Sequence, residues 1–398
     1  MQPDRRPLRI YFKDTMEDIK KPDTFWNTEY CKMCFTHFFI TLAVFMRFPM
    51  FRAWAGENSE TLESTYFCGA LFCIGMFVLG PFNAYLVDAF RRKRVCLCAI
   101  AGMALAGPAL AEARTLWQLA AIRLFEGMCF GVFEMSLGGT LINDLSCSQR
   151  RTQTDYHFLW FGRLSLPLGL IAGWWLLRDH TSDHLLHVSS CVALAGMLPF
   201  MSLKVPFRAP NRVPLLSLDR FWQPQAWVLV LNLLPVAIVE GLLLGSLIPP
   251  SYLGMAALGL LAAYIVHRNF FESADERADA VAGLLLIMAS MALLMMQHET
   301  RILYVAFFML GAGIGWTVSR FLLYFLKLSN HCQRGTLQQT YVLASCSGMC
   351  MGFFLAGTKA DTTLLALILS ATALAFYLLV THRWFKKQGG RDFKFREV

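Results

Sequence analysis

The chain has 398 residues, 56% of them hydrophobic and only 16% charged, with a formal net charge of +9. Soluble domains carry about 25% charged residues, so the composition argues against an ordinary soluble protein and describes a chain solvated by lipid. The positive charge is spread over many short segments rather than gathered in one patch, which argues against nucleic-acid binding and suits loops facing anionic headgroups.

The first 29 residues are polar and charged, with no short apolar core before a small-residue cleavage site. No removable signal peptide is expected, and the first apolar span serves as its own insertion signal. Apolar stretches of about 20 residues, the length that crosses a hydrocarbon core as an α-helix, follow at 30–51, 65–87, 95–111, 116–143, 155–177 and 185–203. A basic segment at 204–224 interrupts the series, with Pro206, Pro210 and Pro214 preventing extension of the sixth helix. A second series lies at 225–247, 251–266, 279–296, 302–328, 337–357 and 363–383.

The expected fold is an all-α membrane protein of twelve transmembrane helices in two pseudo-symmetric six-helix bundles, 30–203 and 225–383. A cytoplasmic N-terminal segment (1–29), a cytoplasmic linker (204–224) and a cytoplasmic tail (384–398) complete it. Most Lys and Arg fall in those segments and in alternate loops, whereas the opposite loops hold only Arg52, Arg114, Arg178, Arg301 and Lys359. The positive-inside rule therefore places both termini in the cytoplasm.

The two halves repeat. Gly80 to Asp88 aligns with Gly259 to His267 at an offset of 179, and Gly127-Met-Cys-Phe-Gly131 aligns with Gly311-Ala-Gly-Ile-Gly315 at 184. Gln149-Arg150-Arg151-Thr152 also aligns with Gln333-Arg334-Gly335-Thr336 at 184. Small-xxx-small spacing alone is common packing grammar. Three matches in order indicate duplicated bundles.

The second helix ends Ala84-Tyr85-Leu86-Val87-Asp88-Ala89-Phe90 and runs into Arg91-Arg92-Lys93-Arg94. This stretch resembles the Gly-x-Leu-Ala-Asp-Arg-x-Gly-Arg-Lys loop of the major facilitator superfamily, matched at Leu86, Asp88, Arg92 and Lys93. Ala84 stands at the first glycine, Ala89 at the first arginine and Arg91 at the second glycine. The resemblance covers essentially the whole chain, and it implies that Asp88 and Arg92 latch the bundles on the cytoplasmic side. In the second half His267 stands where the Asp would be. Leu119 to Gly127, with Arg123 and Glu126, is similar to that family's Leu-x-x-x-Arg-x-x-Gln-Gly motif, which implies proton coupling. Gly162, Pro167, Gly169 and Gly173 partly echo the antiporter signature of helix five.

A charge near the bilayer centre costs roughly 2.5–3.5 kcal/mol on insertion scales. Left unpaired, Arg47, Arg123, Glu126, Glu134, Arg163, Glu240 and Arg320 would together cost on the order of 20 kcal/mol, more than the about 5–15 kcal/mol by which proteins are stable. They must pair or be hydrated. At about 1.5 Å per residue, Glu134, Arg163 and Arg320 come out roughly 12–14 Å from the cytoplasmic face. A Glu134–Arg163 pair is expected there, with Arg320 reaching the same cavity from the other bundle. Arg123 and Glu126 share a helical face, and an Arg47–Glu240 contact is expected to close the outer gate.

Glu126 and Glu240 are the expected proton carriers, since apolar surroundings favour a neutral carboxyl group. Arg123 tunes that pair, and His37 is a further titratable candidate in helix one. Trp316, Arg320 and Tyr324 recur every four residues and so share one face of helix ten, where they could line a substrate cavity.

The cysteines lie mostly inside spans as small hydrophobes, and Cys31-Lys-Met-Cys34 lacks the companion ligands of a zinc site. No phosphate-binding loop is present, so neither a cofactor nor enzymatic activity is expected. Short loops and the absence of Asn-x-Ser/Thr point to a bacterial inner membrane, with the chain acting as a monomer. The expected function is secondary active transport by alternating access: proton-coupled export of a small amphipathic compound or, as the alternative, ion-coupled uptake of a small anion held by Arg163 and Arg320.

Overall fold

The computed structural model describes residues 26–145, 151–205, 213–270, 276–296, 299–329 and 333–388, except for the side chains of 267–270 and 276. The N-terminal segment before residue 26, Gln149 and Arg150, Pro206 and Pro210, the His267 side chain and the tail beyond 388 lie outside that set.

Its long helices, in chain order, are α1 (Thr28–Met46, resuming as Met50–Glu57), α2 (Leu62–Val78, continuing to Ala89), α3 (Arg92–Ala111), α4 (Leu116–Ser136, continuing to Leu145), α5 (Arg151–Asp179) and α6 (Ser182–Met201). The second half supplies α7 (Trp227–Gly245), α8 (Pro250–Phe270), α9 (Glu276–Met296), α10 (Thr300–Lys327), α11 (Arg334–Ala356) and α12 (Thr362–Phe376, continuing to Lys387). Among the described residues, ten helices are long and apolar enough to cross a membrane, and Pro250–Val266 is a shorter apolar one. The helix outside that tally is α5, which carries Arg151, Asp155, Arg163 and Arg178.

Starts and breaks follow local chemistry. Asn27, Thr61, Thr115, Thr181 and Asp361 each accept a backbone N–H in the first turn of their helix, and Thr115 with Gln118 forms a reciprocal capping box. Pro49 and Pro81 cannot continue a helical ladder. Accordingly α1 opens into a turn at Arg47–Pro49, and α2 passes through a tight 3₁₀ turn at Gly80–Phe82. The predicted end of helix one at residue 51 is therefore a mid-helix break, with the run resuming to Glu57.

Packing repeats between the halves. In the first, α2 packs on α4, α3 on α4 and α6, and α1 on α5 and α6; in the second, α8 packs on α10, α9 on α10 and α12, and α7 on α11 and α12. The halves meet through α2 against α11 and, symmetrically, α8 against α5.

Four glycines set the register. A Cβ on Gly75 would lie 2.1 Å from the Leu124 carbonyl, and one on Gly127 would lie 1.9 Å from that of Phe72. In the second half, a Cβ on Gly259 would lie 2.0 Å from the Phe308 carbonyl and one on Gly311 1.9 Å from that of Ala256. Every member of this set is 184 residues from its counterpart. Gly259 thus pairs with Gly75 rather than Gly80, which corrects the offset of 179 and sets Asp88 opposite Glu272, outside the described residues.

Gly75→Val and Gly259→Val are expected to cost about 1–3 kcal/mol each by forcing two backbones apart. Gly56→Ala, with nothing within 4 Å of its Cβ, should stay within about 0.5 kcal/mol of wild type. Thermal unfolding of the detergent-solubilised variants distinguishes these outcomes.

Candidate functional site

At the centre of the molecule a charge pair joins the two bundles. Arg163 on α5 donates to Glu240 of α7 at 2.7 Å, and its other terminal nitrogen donates to Tyr341 Oη at 3.0 Å and Ser345 Oγ at 2.9 Å on α11. The guanidinium also lies 5.8 Å from the Tyr341 ring centroid, within cation–π range. Glu240 is 3% exposed, and its Oε1 has no hydrogen-bond partner among the described residues. Gln338, buried on the same face of α11 as Tyr341 and Ser345, likewise has neither amide atom satisfied among those residues. Buried polar atoms without partners are costly in a finished core.

The expected Glu134–Arg163 and Arg47–Glu240 pairs do not form. Helix α5 begins at Arg151, four residues before its predicted start, so Arg163 stands 12 residues from the end of its helix and Glu240 stands 13 from the start of α7. Both are thus about 18–20 Å along their helices; Glu134, 11 residues from the Leu145 end of α4, lies at nearly the same depth, so the pairing turns on which way each helix faces rather than on depth.

Glu134 turns instead toward α1. His37 Nε2 lies 2.8 Å from Glu134 Oε1, and Nδ1 lies 3.2 Å from the carbonyl oxygen of Phe158. The ring is stacked on Phe158 at 4.1 Å, and a Cβ on Gly162 would come within 2.4 Å of it. Both ring nitrogens therefore face oxygen acceptors.

Glu126 is held inside the first bundle. Arg47 donates to its Oε1 at 2.6 Å and Arg123 to its Oε2 at 2.5 Å. Arg47 also donates to Ser189 Oγ at 2.8 Å and to the Met103 carbonyl at 3.1 Å. Arg123 sits 4.8 Å from the Phe72 ring, 5.1 Å from Phe51 and 5.4 Å from Phe48. The break at Pro49 is what turns Arg47 inward to this triad. Where Arg47 and Glu240 were expected to form an outer gate, the contact between bundles is aromatic: Phe353 of α11 stacks on Tyr66 at 4.3 Å and packs edge-on against Phe48 and Phe51. Tyr66 also donates to the Gly245 carbonyl at 3.1 Å.

Arg320 does not join Glu134 and Arg163; it pairs with Asp279 of α9 inside the second bundle. Tyr324, expected beside it in a cavity, is buried against α12, with its hydroxyl 2.8 Å from that of Tyr377. Trp316 is half-buried on α10.

The end of the molecule carrying Asp88 is sealed by ions. Asp88 accepts from Arg92 at 2.7 Å, Nε of linker residue Arg220 forms an ion pair with it at 2.8 Å, and Arg92 also reaches Asp144. The Arg220 backbone N–H donates to Thr336 of α11 at 2.9 Å, so the linker is hydrogen-bonded to the second bundle at this end. Arg334 of α11 donates to Asp155 and Thr152 of α5, both at 2.7 Å. Sequence reasoning missed Asp155 and Asp279 because they lie at predicted helix starts, where charges are ordinary and only burial marks them; Arg334, half-buried, lies before the predicted start of its helix.

These features define a membrane transporter fold of two equivalent helical bundles with a charged site between them. The model for the Major Facilitator Superfamily matches residues 33–353, and the chain belongs to that superfamily. A search of curated proteins finds no match. Among solved structures, the human organic anion transporter MFSD10 (TETRAN) is similar in fold, with a TM-score of 0.65 and 16% identity, covering 88% of this chain and 97% of that one.

Glu126→Ala is expected to destabilise the protein by about 3–5 kcal/mol, because it leaves two buried arginines uncompensated. Asp88→Asn, in a partly hydrated latch, should cost about 1 kcal/mol or less. The same thermal unfolding series measures both, and equal losses would overturn the assignment of the triad to the structural frame.

Proposed function

We propose that this multi-pass membrane protein carries a small organic anion together with a proton, binding the anion at Arg163 between the bundles and moving it by alternating access. The observation that carries this reading is the Arg163–Glu240 pair, a buried ion pair spanning the two halves. An anion that takes Arg163 must displace the Glu240 carboxylate. That carboxylate would then be buried and unpaired, at a cost of several kcal/mol, and taking up a proton removes the cost. Anion and proton therefore bind together at one place. Tyr341, Ser345 and Gln338 offer hydrogen bonds around the same position.

The export reading placed coupling at Glu126 and Glu240. With Glu126 held by two arginines of its own bundle, the coupling role falls to Glu240, with the His37–Glu134 contact as a second titratable pair one helix away. Arg320, neutralised by Asp279, drops out as the second anion clamp. Rocking of the bundles would alternately open the latch at Asp88, Arg220 and Arg334 and the aromatic seal at Phe353. The fold neighbour described as an organic anion transporter carries cargo of the class proposed here.

In proteoliposomes with an imposed pH gradient, a panel of labelled organic anions should be accumulated by the wild type. Arg163→Ala should lose anion binding by about a hundredfold, the equivalent of one charge-assisted contact. Glu240→Gln should retain binding and exchange but lose the response to the pH gradient. Wild-type transport indifferent to the gradient, or full transport by Arg163→Ala, would sink the proposal.

A further inference from the structure

The four consecutive cations at 91–94 divide between two tasks. Arg92 bridges Asp88 and Asp144, and Lys93 Nζ donates to the carbonyls of Met201 and Leu203 at 2.7 Å each, closing the end of α6. Arg91 and Arg94 are exposed and stand at the mouth of a crevice of about 720 Å³ between α2, α3 and α4. That volume is in the range of small-molecule sites, roughly 300–1,000 Å³.

Below the arginines the crevice is apolar. Leu86, Val95, Cys98, Phe125, Met128 and Val132 line it, and none of its lining residues is acidic. It extends to Gly102, which lies 10 residues along α3 from Arg92, about 15 Å. This is about half of a hydrocarbon core of about 30 Å, or one leaflet. Phe90, Leu105 and Phe125 nearby are 54%, 67% and 43% exposed, so this flank of the first bundle is a lipid-facing surface rather than a helix interface.

We infer that this crevice is a binding site for one anionic glycerophospholipid of the surrounding bilayer. The phosphate sits on the guanidinium groups of Arg91 and Arg94, and an acyl chain lies along the trough between α3 and α4. Two exposed cations at the mouth of an apolar trough select a net negative headgroup. The apolar trough beneath them selects a lipid over a free anion. The site is on the outside of the first bundle and independent of the anion-transport reading, which concerns the interface at Arg163.

The test uses the full chain, purified in detergent and exposed to phosphatidylglycerol, to phosphatidylcholine with the same acyl chains, or to inorganic phosphate alone. Native mass spectrometry counts retained lipid, and thermal shift reports stabilisation. Wild type should retain one phosphatidylglycerol with about a thirty-fold preference over phosphatidylcholine, the share of two arginines near a headgroup. The double variant Arg91→Gln with Arg94→Gln should lose that preference. Cys98→Trp, which fills the trough and keeps both arginines, should lose the retained lipid.

Equal retention of phosphatidylcholine would overturn the site in favour of ordinary surrounding lipid. Stabilisation by inorganic phosphate as large as by phosphatidylglycerol would make it a small-anion site. Undiminished phosphatidylglycerol on Cys98→Trp would reduce it to surface attraction. If the arginine double variant fails to fold, Cys98→Trp and the comparison of the two lipids still decide the matter.

Discussion

A charge in hydrocarbon must find a partner, and most of this molecule's architecture follows from where each one finds it. Insertion of an unpaired ion costs several kcal/mol, so each buried charge in the spans is a constraint on which helix faces which. Arg47, Arg123 and Glu126 meet that constraint within the first bundle, and Arg320 with Asp279 within the second. These pairs lock helices to their own half.

Arg163–Glu240 meets the constraint across the bundle interface, as Arg334–Asp155 does nearer the basic end. In the transport cycle proposed above, a pair split between the two halves is broken or exchanged when they separate, and anything that substitutes for one partner shifts the balance between states. The same interface carries buried polar atoms of Glu240 and Gln338 that have no hydrogen-bond partner among the described residues. Frame and site thus use the same chemistry and differ in whether the partners travel together. His37–Glu134 lies between these cases: it is wholly within the first bundle, yet it stacks on Phe158 of α5, the helix that bears Arg163.

Much of the fold was legible in the chain. The glycine pair Gly127 and Gly311 announced the duplication, and the structure gives its physical basis: at these positions and at Gly75 and Gly259 one helix backbone touches another. The candidate charges were also legible, since Arg or Glu inside a long apolar run is conspicuous. Their partners were not. Depth does not choose between the candidates, since Glu134 is 11 residues from the end of α4, Arg163 12 from the start of α5 and Glu240 13 from that of α7; the rotation of each helix about its axis gives Arg163 to Glu240 and Glu134 to His37. The break at Pro49 changed the course of α1 and took Arg47 to Glu126. Asp155 and Asp279 went unmarked because hydropathy places a charge at a helix end in the headgroup region, whereas neighbouring helices bury both.

What the chain alone determined was the lipid solvent, the helical spans, the repeat and the identity of most buried charges, because these depend on composition and on distances along the sequence. Tertiary structure alone decided which charges face each other, which pairs hold one bundle together and which join the two. Pairing depends on the rotation of each helix about its axis and on its depth to within a single turn, and both are set by contacts between segments far apart in the chain. The division of the basic run at 91–94 into latch, helix closure and crevice mouth was decided in the same way: four like residues in a row acquired different neighbours once α2, α3 and α6 packed.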